Sequence, residues 1–181
     1  MHPTDDDPTR VFEDLVNAYY RLLYQFAYSL VHREAEASDL TQHTFYIWAR
    51  KGRALRDPSK AKTWLFTTLY REFLKSRRHQ RAFPHRTLDA ADGSLPDPSA
   101  SPIEQLDSAA VLEALATLEE IYRAPLELFY VGEHSYKEIS DILSVPIGTV
   151  QSRIFRGKAQ LREALTRVGR SDDGKGEVNC G

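Results

Sequence analysis

The sequence predicts an all-α protein of two helical domains joined by a flexible linker. Three observations carry this. Apolar residues recur at three- and four-residue steps in both halves of the 181-residue chain, the spacing that lines one side of an α-helix. Between the halves the periodicity is lost across 82–107, where Pro84, Pro96, Pro98 and Pro102 fall among Ser, Asp and Ala. The second half then holds two short helical patterns on either side of a turn, the layout of a helix-turn-helix.

The first predicted helix runs from about Pro8 to His32, with Leu15, Val16, Tyr19, Leu22, Leu23, Phe26, Ala27 and Leu30 on one face. A second runs from Ala35 to Lys51, partly burying Leu40, Phe45, Ile47 and Trp48, and Gly52 stops it. Arg53 to Ser59 reads as a loop, and Asp57-Pro58-Ser59 signals the next helix start. The third helix, Lys60 to Arg81, places Ala61, Trp64, Leu65, Thr68, Leu69 and Phe73 on one side. Trp48, Trp64, Phe66 and Phe73 read as core aromatics rather than base-stackers.

The linker is acidic: Asp89, Asp92, Asp97, Glu104 and Asp107 stand against Arg86 alone. Its ends lie roughly 30 Å apart on average, so the two domains are expected to make few contacts between their cores. Beyond it, Val111, Leu112, Leu115 and Leu118 open a helix. Thr117 to Glu120 has capping-box spacing and could start another helix, in which Pro125 implies a kink or a late start. The domain boundaries are therefore 8–81, 82–107 for the linker, 108–168, and a Gly-, Asp- and Lys-rich tail at 169–181 expected to be disordered.

The net charge is only -2, yet the cations are clustered. Arg71, Lys75, Arg77, Arg78, Arg81 and Arg86 form one group; Arg153, Arg156, Lys158, Arg162, Arg167 and Arg170 form another. Such stripes suit a polyanion touched at two places, or two solvated helix faces. The one cysteine, Cys180, excludes a disulfide within the chain and a thiolate metal site. The six histidines do not pair at metal-ligand spacing, and nucleophile motifs and Gly-rich phosphate loops are missing. No cofactor, metal or enzyme activity is expected. The acidic start is unlike a signal peptide and no apolar run is long enough for a bilayer, so a cytoplasmic protein with no membrane partner is expected.

Ser135-Tyr-Lys-Glu138 is a capping box with Ile139, Ile142 and Leu143 behind it. Ser144 to Gly148 turns the chain, and Ser140 is small where the two helices would cross. A second helix from Thr149 turns Val150, Ile154 and Leu161 inward. That leaves Gln151, Ser152, Phe155 and Arg156 outward, with Arg153 toward the edge, where a recognition helix meets the major groove.

Tyr136-Lys-Glu-Ile-Ser-Asp-Ile-Leu and Pro146-Ile-Gly-Thr-Val-Gln-Ser-Arg-Ile-Phe-Arg-Gly-Lys resemble the fourth conserved region of bacterial sigma factors, as does Tyr122-Arg-Ala-Pro-Leu. Asp39-Leu-Thr-Gln-His-Thr-Phe45 and Thr63-Trp-Leu-Phe-Thr67 resemble the second. Their order and spacing are similar to the extracytoplasmic-function (ECF) subfamily of the sigma-70 family. The resemblance implies a specificity subunit that binds core RNA polymerase and directs promoter-specific initiation. It implies that Asp39, Gln42, Phe45 and Trp48 dock on the beta-prime clamp. It implies minus-ten and melting contacts for Lys60, Trp64, Lys75, Arg77, Arg78 and Arg81, helped by the Arg53–Ser59 loop. The minus-35 element falls to Gln151, Ser152, Arg153, Phe155 and Arg156, with the acidic linker threading the polymerase. An anti-sigma factor is an implied controlling partner. His43, Gln151 and Leu69-Tyr-Arg-Glu72 depart from the family's usual residues. The rival reading is a stand-alone helix-turn-helix regulator of duplex DNA.

Overall fold

A computed structural model describes residues 8–52, 55, 57–82, 111 and 114–172. The linker expectations for 83–107 lie outside the described residues.

The first half is three long helices. α1 (Pro8–Val31) buries Leu23, Phe26, Ala27 and Leu30. His32 ends it in the left-handed region (φ 56), with its N–H donating to the Tyr28 carbonyl at 2.7 Å. α2 (Glu34–Lys51) carries acids in its first turn and bases in its last, the order that the helix dipole favours. Its buried face includes Thr41 and Thr44, whose hydroxyls donate to the Ala37 and Leu40 carbonyls and so cost little inside. Gly52 closes α2, but in the right-handed region (φ -64). Its need is for room: a Cβ there would stand 2.4 Å from the Trp48 ring.

The Asp57 carboxylate accepts from the Ser59 N–H at 3.1 Å and hydroxyl at 2.6 Å, starting a 3-10 turn (Pro58–Lys60) that feeds α3 (Ala61–Ala82). Ala61, Leu65, Leu69 and Phe73 of α3 are buried, as the periodicity predicts, and so is Phe66. Burial of Phe66 means that α3 is covered on a second side.

The second half holds α4 (Glu120–Tyr130), α5 (Tyr136–Leu143) and α6 (Ile147–Asp172). The capping box expected at Thr117 does not form. Its hydroxyl donates to the Ala114 carbonyl at 2.7 Å, and Glu119 is the N-cap without a side-chain bond. α4 runs through Pro125 instead of starting at it. The carbonyl that Pro125 leaves without a helical donor belongs to Ile121, an exposed residue where water is at hand. α6 starts two residues earlier than Thr149, and its backbone stays helical to Asp172, past the expected boundary at Val168.

The largest departure from expectation is that the halves share one core. His134 sets its ring edge on Phe66 at 4.7 Å, and these side chains are 2% and 1% exposed. The Ser29 hydroxyl bonds to the Glu127 carboxyl, Thr63 donates to Glu138 at 2.8 Å, and Arg77 pairs with Glu120. The physical reason lies in α4, which is buried without a break from Arg123 to Leu128. A helix covered that fully needs neighbours on both sides; α6 supplies one and α1 the other.

Candidate nucleic-acid and polymerase interfaces

The helix-turn-helix is held by local bonds. Ser135 and Glu138 exchange both bonds of a capping box, so α5 begins at a fixed residue. Ser144 takes the left-handed turn (φ 54), and the Val145 N–H donates to the Ser140 carbonyl at 3.2 Å. The Ser140 hydroxyl donates to the Val145 carbonyl at 2.6 Å, so this serine ties the turn. Close approach of helices comes from Gly157: a Cβ there would lie 2.8 Å from Leu126 Cδ1 and 3.3 Å from the Tyr122 carbonyl. The sequence signal for it was a glycine in the interior of a long helix.

Val150 and Ile154 are buried, which fixes the rotation of α6. Gln151, Ser152, Phe155 and Arg156 then face outward as expected, Phe155 being 77% exposed. The Ser152 hydroxyl donates to the Thr149 carbonyl at 3.0 Å, leaving its lone pairs to accept from a base. Arg153 is half-buried and near enough to act on the Tyr70 phenol of α3. Lys158 lies 5.3 Å from the centres of both the Phe129 and Tyr130 rings, so that cation is turned toward its own domain.

In the first half the four predicted clamp residues divide. Asp39 and Gln42 are exposed; Phe45 and Trp48 are buried. Phe45 stacks on Tyr20 at 6.2 Å and Trp48 meets Trp64 edge-on at 5.0 Å. Those two aromatics hold the α2 face in place from beneath. The outward face continues instead through Tyr46, whose hydroxyl accepts from Arg50 at 2.9 Å. Residues 39, 42, 46 and 50 follow helical steps, a signal present in the sequence.

Of the predicted minus-ten residues, Lys60, Lys75, Arg78 and Arg81 are exposed and Trp64 is half-buried. Arg77 is different: it lies over the Phe73 ring at 5.4 Å and is paired with Glu120. Asp39 and Arg77 line one groove of about 850 Å³ between α2, α3 and the start of α4. Thus the structure brings one predicted clamp residue and one predicted DNA residue together.

Three titrating groups sit at the seam between the halves. Burial pushes the Glu127 carboxyl up to about 7, against the opposing hydrogen bond of Ser29 and the charge of Arg123. Burial, with the charge of Lys62, pushes His134 down to about 4. Glu138 goes the other way: burial raises it, but bonds from the Ser135 backbone and from the Thr63 and Ser135 hydroxyls hold it down to about 2.

Known proteins match both halves. The model for sigma-70 region 2 matches residues 15–83, and that for sigma-70 region 4 matches 108–161. The chain is 30% identical to the ECF RNA polymerase sigma factor SigW of Bacillus subtilis, over 85% of this chain and 88% of the relative. It is 32% identical to the ECF RNA polymerase sigma factor SigE of Mycolicibacterium smegmatis, over 86% of this chain and 62% of that one. Among solved structures, the sigma factor RpoE from Bartonella quintana, in complex with the anti-sigma factor NepR, superposes with a TM-score of 0.71 at 28% identity. That likeness covers 86% of this chain and 96% of RpoE. Among the described residues, no helix is long and apolar enough to cross a membrane.

Proposed function

The chain belongs to the family of ECF RNA polymerase sigma factors, and from that premise we propose how its surfaces divide the work. It is a sigma factor that binds core RNA polymerase and directs promoter-specific initiation; the polymerase does the chemistry. Asp39, Gln42 and Tyr46 on the outer face of α2 dock on the beta-prime clamp. Lys60, Lys75, Arg77, Arg78 and Arg81 follow phosphates near the melting point, while Trp64 supports the base-capturing surface. Gln151, Ser152, Phe155 and Arg156 read the minus-35 element, and Arg153 stands at the edge of that surface. The rival, a stand-alone regulator of duplex DNA, leaves the region 2 match without a role. RpoE was solved with an anti-sigma factor, and a protein of that kind is the proposed controlling partner here.

The observation that carries this reading is the burial of Val150 and Ile154, which turns four groove-suited side chains outward on one face of α6. Transcription from promoter libraries with Arg156→Ala and Gln151→Ala chains tests it. If Arg156 reads a base, its loss costs about 1–3 kcal/mol and relaxes one minus-35 position. If it holds a phosphate, binding weakens evenly and the salt slope falls by about 0.9. Gln151→Ala is expected to relax preference for adenine at one position. Normal transcription with unchanged minus-35 preference in both variants would remove α6 as the promoter reader.

A further inference from the structure

We propose that Glu72 is a positioning residue for both working surfaces of the first half: one carboxylate oxygen, Oε2, holds His43 on the polymerase side and Lys75 on the DNA side, so that a change at one surface is felt at the other. The inference rests on the reading of α2 as the docking helix and of Lys75 as a phosphate contact.

His43 and the stretch Leu69 to Glu72 both depart from the family's usual residues, and they stand on different helices. The structure brings the two departures together: His43 Nε2 is 3.5 Å from Glu72 Oε2. Departures that meet act as one change, an acid on α3 facing an imidazole on α2.

Each partner of Glu72 leads to a different surface. The His43 ring stacks on Tyr46 at 6.1 Å, with 24° between the planes. Tyr46 in turn accepts from Arg50 at 2.9 Å, on the face assigned to the clamp. Along α3, the Lys75 ammonium is 3.3 Å from the same Oε2. The Glu72 side chain is 24% exposed, against 50% for His43 and 74% for Lys75. A sheltered carboxylate therefore tethers two groups that reach into water.

The contact is not what joins the helices. Trp48 of α2 meets Trp64 of α3 edge-on at 5.0 Å, and Phe45, Leu65 and Leu69 are buried, so α2 and α3 pack without Glu72. What Glu72 adds is position. A carboxylate oxygen has two lone pairs and can receive both groups. Both nevertheless draw on one negative charge, so loss of either partner tightens the hold on the other. Polar pairs of this exposure change a binding constant by about two- to fivefold. His43 and Lys75 thus act on each other through Glu72, and by linkage the influence runs both ways.

The test uses the full chain in two assays. Affinity for core polymerase is read from fluorescence anisotropy of the chain labelled at Cys180. Affinity of the assembled holoenzyme for a promoter fragment is measured with the chain saturating, over a range of salt. Parent, His43→Ala, Glu72→Gln and the double variant form a cycle in both assays, with far-UV circular dichroism as the check on helices. Polymerase affinity should fall about two- to fivefold in each single variant, and the double variant should lose no more than the weaker-binding single one. His43→Ala should also weaken promoter binding by about twofold, because Glu72 then holds Lys75 more tightly, and this loss should vanish when Glu72→Gln is present as well. Independent, multiplying losses in the polymerase assay overturn His43 and Glu72 as a unit. Promoter affinity unchanged by His43→Ala, or lowered equally with and without Glu72→Gln, overturns the shared oxygen. Asp39→Ala and Lys75→Ala separate the premises. If Asp39→Ala leaves polymerase affinity unchanged, or Lys75→Ala leaves promoter affinity and its salt slope unchanged, the reading of that surface fails with Glu72 untouched, and the coupling falls with it.

Discussion

Replacing Glu127 by glutamine should stabilise the protein by an amount that grows as pH rises from about 4.5 and levels off above about 7. Ser29 Oγ lies 2.8 Å from the Phe26 carbonyl and also contacts the Glu127 carboxyl. A hydroxyl has one proton, so both bonds together require the second proton to come from Glu127. Arg123 does not neutralise the carboxylate by direct bonding; its guanidinium donates to the Ala116 and Leu118 carbonyls at 3.2 and 2.8 Å. Burial accordingly carries Glu127 from 4.5 to about 7. At about 1.4 kcal/mol per pH unit, that difference is worth about 3 kcal/mol. Since the folded value is raised, this stability is fully present below 4.5 and is lost as pH rises through about 7. His134 works in the opposite sense, losing stability as pH falls from 6.5 through about 4, with Lys62 and Glu138 facing it. Both chains keep His134, so it cancels in their difference. The Glu127→Gln chain is neutral throughout, and its amide donates to Ser29 as the protonated acid does. Urea unfolding of both chains between about pH 4 and pH 8 should show near-equal stability at the acid end, a gap that opens between about pH 4.5 and pH 7, and an advantage of about 3 kcal/mol for the variant at the alkaline end. A difference that stays flat over that range would refute the neutral, buried Glu127.

The second half supplies two more tests. Gly157→Ala puts a methyl 2.8 Å from Leu126 Cδ1 and 3.3 Å from the Tyr122 carbonyl, and should destabilise the protein by about 1–3 kcal/mol in urea unfolding; an unchanged midpoint would mean that α6 does not sit so close to α4. Ser135→Ala removes one side of the capping box and should cost about 1 kcal/mol. The same change should raise the Glu138 carboxyl above about 2, read by NMR titration, because the Ser135 hydroxyl bond is lost while the bonds from the backbone N–H of residue 135 and from Thr63 remain.

The helices and the helix-turn-helix were legible because their signals are local. Leu23, Phe26, Ala27 and Leu30 share a face by spacing alone, and Ser135 with Glu138 marks a helix start within four residues. Phe66 was read as a core aromatic and is buried, but the ring that covers it, His134, could not be named, since it lies far along the chain. The same holds for Glu127 and Ser29: a carboxylate on a helix reads as solvated until another helix covers it. On α2 the spacing put Phe45 and Trp48 on the inner side, as found; it was the family resemblance that grouped them with Asp39 and Gln42, which point the opposite way. Gln151, Ser152, Phe155 and Arg156 were legible because Val150 and Ile154 fix both faces of α6 at once. The late start that Pro125 signalled does not occur, since α4 begins at Glu120 and runs through it.

Gly157 has a mechanical meaning as well as a steric one. With no side chain at Gly157, α6 seats directly on Leu126 and the Tyr122 carbonyl of α4, and any larger residue would act as a wedge between the two helices. Phe155 stands two residues before that seat on α6, so a wedge at Gly157 would tilt the exposed ring together with the helix that carries it.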